Sequence, residues 1–448
     1  MLFKNYRDIV ENGKDKKTKE IRRDILEILS YSLDAADPYK SVKNVFLENQ
    51  IKFNSKNIDL SIFRDIYVVG FGKASVGMAN AICDSIDVKE GAIVTNQENN
   101  IVENKKVKTF VGSHPIPDES SIKATEEIIN LVKKCEENDL LIVLISGGGS
   151  ALLCKPRVEL TDIQKITKLL LKSGANIKEI NTIRKHLSYV KGGQLVRYAK
   201  CKVISFIISD IVGDPLDFIA SGPTYPDSTT YLDVKSILEK YDIWENTPNA
   251  IKGVVNKGLE GKIPETSDSS NSIFKKVDNL IVANNKIACK AAIEKAKDLG
   301  YKTMLLTTTL EGEAKDVAGF LVDKTINYDA DHDKMIFVSG GETTVTIKGD
   351  GRGGRNQEMV LSSVEKISGK NIVFCSFATD GVDGSSDAAG AISDKNTLER
   401  AEKKDSDPNL FLKTNNSYEF FKKLNDLFMT GPTGTNVMDL QIIVKYKE

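Results

Sequence analysis

The sequence predicts an α/β protein of two domains, on three observations. The continuous apolar run at Leu140–Ile145 and the apolar stretches Val203–Ile208, interrupted by Ser205, and Met335–Val338 have the character of strands buried on both faces of a parallel sheet. Stretches with apolar residues at helical spacing alternate with them along the chain. At 448 residues the chain exceeds one ordinary core, so two domains are expected.

Composition narrows the classes of function. Apolar residues at 40% and charged residues at 28% fit a soluble globular protein. The formal net charge of -1 gives no global attraction to nucleic acid or to an anionic membrane, so any anion binding must come from local basic groups. Six cysteines, at 83, 135, 154, 201, 289 and 375, form no close pairs, which argues against a disulfide framework and against a cysteine zinc site. The first twenty residues are charged from Lys4 onward, and no apolar run reaches membrane-spanning length, so a cytoplasmic location is expected.

In chain order, Ile21, Ile25, Ile28 and Leu29 share one face of a helix over 17–35, which Asp37-Pro38 ends. Ile66–Val69 is the first strand. It runs into Gly70-Phe71-Gly72-Lys73-Ala74-Ser75 and a small-residue helix over 76–86. A strand, a glycine turn at Gly72 and a helix start leave backbone N–H groups for an anion, to which Lys73 adds a mobile charge. A nicotinamide dinucleotide fits poorly: Ser75 stands where the third glycine belongs, and the next strand, Ala92–Val94, ends in Thr95-Asn96 with no acidic residue for the ribose. His114, followed by Pro115 and Pro117, either touches a ligand or, the preferred reading, fixes a turn ahead of a helix over 122–135.

Leu140–Ile145 then ends in Ser146-Gly147-Gly148-Gly149-Ser150. Successive glycines at a strand end cost backbone entropy without packing anything, so Gly147, Gly148, Gly149 and Ser150 point to close approach of a ligand. After a helix over 160–172, Arg184, Lys185 and Lys191 precede Gly192-Gly193; they are either a solvated helix face or a clamp on an anionic substrate. Val203–Ile208 delivers Asp210 to a strand's C-terminal edge. Periodicity is lost over 256–272, which places a linker there between domains at 1–255 and 273–448.

The second domain is expected to start with a βαβ unit: strand Leu280–Ala283, a helix to Leu299, and strand Thr303–Thr307. A helix over 311–327 follows. Met335–Val338 meets Ser339-Gly340-Gly341-Glu342, and the alternation at Thr344–Ile347 predicts a half-buried strand. That strand would present Arg352, Arg355 and Asn356 among Gly351, Gly353 and Gly354, where guanidinium forks can grip an anion the backbone approaches closely. A helix over 359–364 leads to strand Ile372–Ala378, which ends in Thr379-Asp380-Gly381-Val382-Asp383. Helices near 395–404 and 416–425 and a closing strand Leu440–Val444 complete the chain.

Glycine-rich strand ends thus recur beside carboxylates (Asp210, Glu342, Asp380, Asp383) and cations (Lys73, Arg184, Arg352, Arg355). Both signs together suit a polyanion neutralised partly by Lys and Arg and partly by a metal. Oxygen ligands, with only three histidines in the chain, favour Mg²⁺ over zinc. Phosphoryl transfer needs positioning and charge neutralisation more than covalent chemistry, and this set supplies both. Neither a P-loop nor a protein-kinase signature is present.

The runs SGGGSALL (146–153), INTIRKHL and KGGQL (180–187, 191–195), SDIVGDPLDFIASGPT (209–224), SGGETTV and GRGGRNQE (339–345, 351–358), ATDGVDG and DAAGA (378–384, 387–391) and TGPTGTNV (430–437) closely resemble the class II glycerate kinase family, glycerate 2-kinase with a MOFRL-type C-terminal domain. The chain departs from that pattern at Pro215, Ser385-Ser386 and Met438. The resemblance implies a Rossmann-like, mostly parallel N-terminal domain, a smaller α/β C-terminal domain and an active site in the cleft between them. It implies ATP- and Mg²⁺-dependent phosphorylation of D-glycerate at its 2-hydroxyl; the alternatives are an NAD(P)H-dependent hydroxypyruvate reductase, a kinase of a related hydroxy acid, or a nucleotide sensor without turnover. The expected catalytic residues are Lys73, Arg355 and Asp210. Lys73 holds phosphate. Arg355, assisted by Arg352, holds either the glycerate carboxylate or the γ-phosphate. Asp210 serves as base or Mg²⁺ ligand, with Glu342, Asp380 and Asp383 as further metal ligands. Gly72, Gly147, Gly148, Gly149, Ser150, Arg184, Lys191, Arg352 and Asn356 are expected to bind substrate or nucleotide. The oligomeric state stays open, a homodimer included.

Overall fold

A computed structural model describes residues 2–328 and 332–447. It contains two compact units: Pro38–Ser209 with Asp214–Val282, and Met1–Asp37 with Asp210–Gly213 and Ala283–Glu448.

The first of these opens with a small antiparallel sheet of β1 (Phe46–Leu47), β2 (Gln50–Phe53) and β3 (Lys56–Asp59). Its main sheet comprises β4 (Ile66–Phe71), β5 (Glu90–Thr95), β6 (Val107–Val111), β7 (Leu140–Ile145), β8 (Lys202–Ile208) and β9 (Val277–Ala283), in the order β6-β5-β4-β7-β8-β9. β4 to β8 pair in parallel, so their C-terminal ends share one edge. β7 lies near the middle with every side chain buried, as its unbroken apolar run requires. The helix Glu119–Lys134 covers one face; Asp118 caps it by accepting from the amides of Ser120 and Ser121. A separate helical cluster packs Ile166, Leu170, Ile183, Tyr231 and Val255 together. Within it the helix Ile177–His186 starts on a capping box formed by Asn176 and Glu179.

The second unit holds a mixed sheet of β10 (Lys302–Leu310), β11 (Lys334–Gly341), β12 (Ile372–Ala378), β13 (Gly390–Asp394) and β14 (Asp439–Tyr446), in the order β10-β11-β14-β12-β13. β10 and β11 are parallel; β14 runs antiparallel between β11 and β12, and β13 antiparallel along β12. The helix Arg355–Ile367 packs Val360, Leu361 and Val364 against Phe420 and Phe421 of the helix Ser417–Leu424.

The α/β class and the long parallel sheet agree with the sequence reading, and four details differ. The helix Lys16–Ala35 folds with the C-terminal sheet, because its Arg22 is buried between Asp394 and Asp426. β9 closes the first sheet instead of opening the second, since an apolar run does not state which edge it joins. Residues 344–347 are no strand: Ile347 is 78% exposed, and the segment is held by Thr344 N–H on the Gly312 carbonyl (2.8 Å) and Thr346 N–H on Glu313 Oε1 (2.9 Å). The segment read as a linker is packed, with Thr266 and Ser267 buried and Glu265 bound to His186.

Candidate functional site

In the N-terminal unit the site grows from two neighbouring strand ends. Phe71 of β4 is in register with Ile145 of β7, so the turns that follow emerge side by side. Gly72 has φ +132°, and a Cβ there would fall 2.2 Å from Ser146 Oγ, so only glycine fits. Ser146 Oγ accepts from Ala74 N–H at 3.1 Å, and Lys73 N–H donates to the Gly147 carbonyl at 2.9 Å, which locks the two turns together. Gly148 is left-handed, and a Cβ on it would meet His114 Cδ2 at 3.0 Å. Among the described residues, the N–H groups of Gly147 and Gly148 have no protein acceptor, and the exposed ammonium of Lys73 has no carboxylate partner. His114, half-buried, is held below its usual pKa by burial and then by the charge of Lys73. Its ring lies against Gly148 of the loop.

The cations of the 180–193 segment separate into two groups. Lys185 is structural, pairing with Asp227 (3.3 Å) and Asp217 (3.5 Å). Lys191 is buried and donates to the carbonyls of Ser150 (2.6 Å) and Leu153 (3.0 Å). Burial, with the charge of Arg184 acting in the same direction, pulls its pKa down to about 8. Arg184 is itself shifted down by burial and makes no ion pair among the described residues. The loop at Gly147–Ser150 thus has one buried ammonium holding its carbonyls, and the charge of Arg184 acts on that ammonium.

Across this loop lies a hydroxyl chain that sequence reasoning missed. Ser150 Oγ is 2.9 Å from Ser221 Oγ, and Ser221 Oγ donates to Asn181 Oδ1 at 3.3 Å. The Gly192 and Gly193 amides bind the carbonyls of Ser221 and Gly222 at 3.0 and 2.7 Å. Asp210 lies two residues past β8 in sequence and belongs to the second compact unit. Asn96, where a ribose carboxylate would stand, has a buried Oδ1 without a partner.

In the C-terminal unit, Asp439 of β14 is in register with Gly341 of β11 and Ala378 of β12. Glu342, Asp439 and Asp380 therefore lie along one edge of three adjacent strands. Arg355 is the first residue of the helix Arg355–Ile367, and its fork binds Asp439 through Nε (2.5 Å) and Nη2 (3.1 Å) and Glu342 through Nη1 (2.7 Å). Both carboxylates raise the Arg355 pKa against the desolvation that opposes it. Burial lifts Asp439 to about 6 even with that partner. Its place at the first residue of a strand was the signal that could have found it.

The other candidates in this unit fall elsewhere. Arg352 stacks on Tyr418, 4.0 Å from the ring centre, and pairs with exposed Asp387 at 3.0 Å, so it does not join the carboxylates that Arg355 holds. Asp383 is buried and accepts four hydrogen bonds, from the backbone and side-chain N–H groups of Asn356 and Gln357. Its lone-pair sites are filled, so it caps a helix where a metal ligand was expected. Asn356 is buried between Asp383 and Ser376. Among the described residues no group of three His, Cys, Asp or Glu side chains is arranged to hold a metal. No helix among them is long and apolar enough to cross a membrane.

Compared with known proteins, residues 24–256 match the model for a domain of unknown function, DUF4147, and residues 335–439 match that of the MOFRL family. The chain is 44% identical over 433 residues to a glycerate 2-kinase of Pyrococcus horikoshii, covering 95% of this chain and 97% of that one. It is 38% identical over 416 residues to a D-glycerate 2-kinase of Thermotoga maritima, covering 90% and 95%. A crystal structure of a glycerate kinase from Thermotoga maritima matches with a TM-score of 0.85 at 36% identity, covering 95% of this chain and 100% of that one.

Proposed function

The chain belongs to the glycerate 2-kinase family whose members carry a MOFRL domain, and from that premise we propose that it transfers the γ-phosphoryl group of ATP to the 2-hydroxyl of D-glycerate, giving 2-phosphoglycerate and ADP. Within the family, the observation that supports this reading is the loop at Gly147–Ser150, where, among the described residues, the Gly147 and Gly148 amides have no acceptor and the neighbouring Lys73 has no ion-pair partner. Such preorganised donors stabilise charge spread over phosphoryl oxygens without reorganising at the moment of transfer.

Lys73, on a mobile stem, neutralises the transferred phosphoryl. The Gly147 and Gly148 amides and Arg184 hold an anionic group, and Lys191 fixes the loop beneath. Asp210 accepts the proton of the attacking hydroxyl. Arg355 is already forked onto two carboxylates, so its role is to set the position of Glu342 and Asp439 as well as to offer positive charge. Mg²⁺ arriving with ATP needs one or two carboxylates beside its phosphate and water ligands. Among the described residues Glu342 has only Oε1 bound, to Arg355, and Asp380 only Oδ1, to the Val382 amide, so both suit it chemically. Bound there, it would neutralise charge on the phosphate oxygens.

³¹P NMR of the protein with ATP, Mg²⁺ and D-glycerate tests the reading. A phosphomonoester resonance matching 2-phosphoglycerate, absent with EDTA, is the expected result. A 3-phosphoglycerate signal would overturn the position of transfer, and no signal would overturn the activity.

A further inference from the structure

We propose that Ser150, set by Ser221 and Asn181, accepts a hydrogen bond from the substrate hydroxyl that is not phosphorylated, and so makes the site selective for dihydroxy acids over monohydroxy acids. The proposal rests on the function given above. Its argument is a proton count along the chain Ser150–Ser221–Asn181.

A serine hydroxyl has one proton and two lone pairs. Asn181 Oδ1 only accepts, so the Ser221 proton lies on the 3.3 Å bond to it. Ser221 Oγ must then be the acceptor in its 2.9 Å contact with Ser150, which takes the single proton of Ser150. Ser221 and Asn181 are 1% and 5% exposed, so water does not compete for this order, whereas Ser150 is partly exposed. Ser150 Oγ therefore offers its surroundings lone pairs and no proton.

That makes it the odd member of its surface. The Gly147 and Gly148 amides of the same loop, without acceptors among the described residues, and the adjoining Lys73 are donors suited to an anion, which Ser150 would repel. A ligand that satisfies the whole surface carries an anionic group and a hydroxyl donor together. An alcohol oxygen is too weakly basic to take a proton, so Ser150 recognises a hydroxyl that keeps its proton; the attacking one loses it.

The backbone supports a built feature. Ala220, Ser221 and Gly222 have φ of +50°, +62° and +60°, a left-handed run that costs free energy at its two non-glycine members. The Gly192 and Gly193 amides hold it in place. Packing alone asks for no hydroxyl at Ser221, and glycine would suit its backbone better.

D-Lactate keeps the carboxylate and the 2-hydroxyl of D-glycerate and lacks the 3-hydroxyl, so kcat/KM is measured for both substrates. In Ser150→Ala and Ser221→Gly the ratio of kcat/KM for D-glycerate over D-lactate is expected to fall about five- to tenfold, the size of one lost hydrogen bond. Ser221→Gly deletes the hydroxyl while easing the left-handed backbone, so its thermal midpoint should not drop, and it carries the test if Ser150→Ala folds poorly. A ratio within twofold of the parent in the folded variants overturns the proposal. A loss of equal size for both substrates does the same, since it would mark a general structural role. No transfer to D-glycerate by the parent overturns the function, and the relay with it.

Discussion

Lys73 is exposed and has no ion-pair partner among the described residues, so removing its charge should cost catalysis and leave the fold intact. Lys73→Ala is expected to lower kcat/KM more than tenfold, a loss above about 1.4 kcal/mol, with an unchanged thermal midpoint. Asp439 carries a pH prediction with two signs. Its folded pKa, about 6, lies above the ordinary 3.8, so its protonated form favours the fold. That stabilising contribution is complete below about pH 4 and is lost as pH rises through about 6. Activity runs the other way, because the ionised carboxylate grips Arg355. The parent's kcat/KM should fall as pH drops through about 6, a limb that Asp439→Asn should lack. Urea unfolding at pH 4 and pH 8 should show the parent losing stability relative to that variant at the higher pH; the opposite trend would refute the assignment. That Lys73 and Gly147–Ser150 sit in turns at strand ends was legible, because apolar runs giving way to glycines mark where strands stop. The roles of Asp383 and Arg352 were not. A carboxylate capping a helix 27 residues away and one binding a metal look alike in sequence.

The helix Arg355–Ile367 is the element on which the Arg355 cluster of the C-terminal unit depends. It begins at Arg355 itself with no capping side chain of its own at Gly354, and Asp383 from the loop after β12 takes that place. A Cβ at Gly354 would fall 2.4 Å from the Asp383 side chain, so the glycine is what admits the cap. Asp383→Ala should therefore destabilise the protein by roughly 2 kcal/mol or more in urea, since buried donors lose their acceptor. Added Mg²⁺ should not restore its activity; rescue at high Mg²⁺ would revive the metal-ligand reading. Glu342→Gln, by contrast, should raise the Mg²⁺ concentration needed for half-maximal rate. Elements built on mostly apolar runs, β7, β8, β11 and β12, were legible because burial on both faces leaves one pattern. Thr344–Ile347 misled because alternation also arises in an exposed segment pinned by a neighbouring turn, and Glu313 does that pinning. The small strands β1 to β3 went unread because their pattern is short and mostly polar.

For the whole molecule, the path of the chain is what periodicity could not give. An amphipathic helix announces that it has a buried face and leaves open what buries it. Arg22 decides the matter for Lys16–Ala35: its Nε meets Asp394 at 2.8 Å, its Nη1 meets Asp426 at 2.8 Å, and Arg400 also binds Asp426 at 2.6 Å. Tyr301 donates to Asp24, Lys295 pairs with Glu27, and Thr18 meets Tyr446, so the same helix is tied to strands and helices from the far end of the sequence. Without it, Asp394 and Asp426 would keep buried charge with one guanidinium fewer, and removing one partner of such a network costs about 3–5 kcal/mol. A domain's whole stability is only about 5–15 kcal/mol, and the fragment would also expose the apolar surface that Ile21, Ile25 and Leu29 cover. A fragment of residues 283–448 is therefore expected to lack a cooperative thermal transition. A peptide of residues 1–37 added to it should restore one, with a midpoint that rises with peptide concentration as binding linkage requires. The Arg22→Ala peptide should fail to do so. Cooperative unfolding of 283–448 alone, unchanged by the peptide, would show that the helix is an accessory to that unit and that the buried ion network is dispensable.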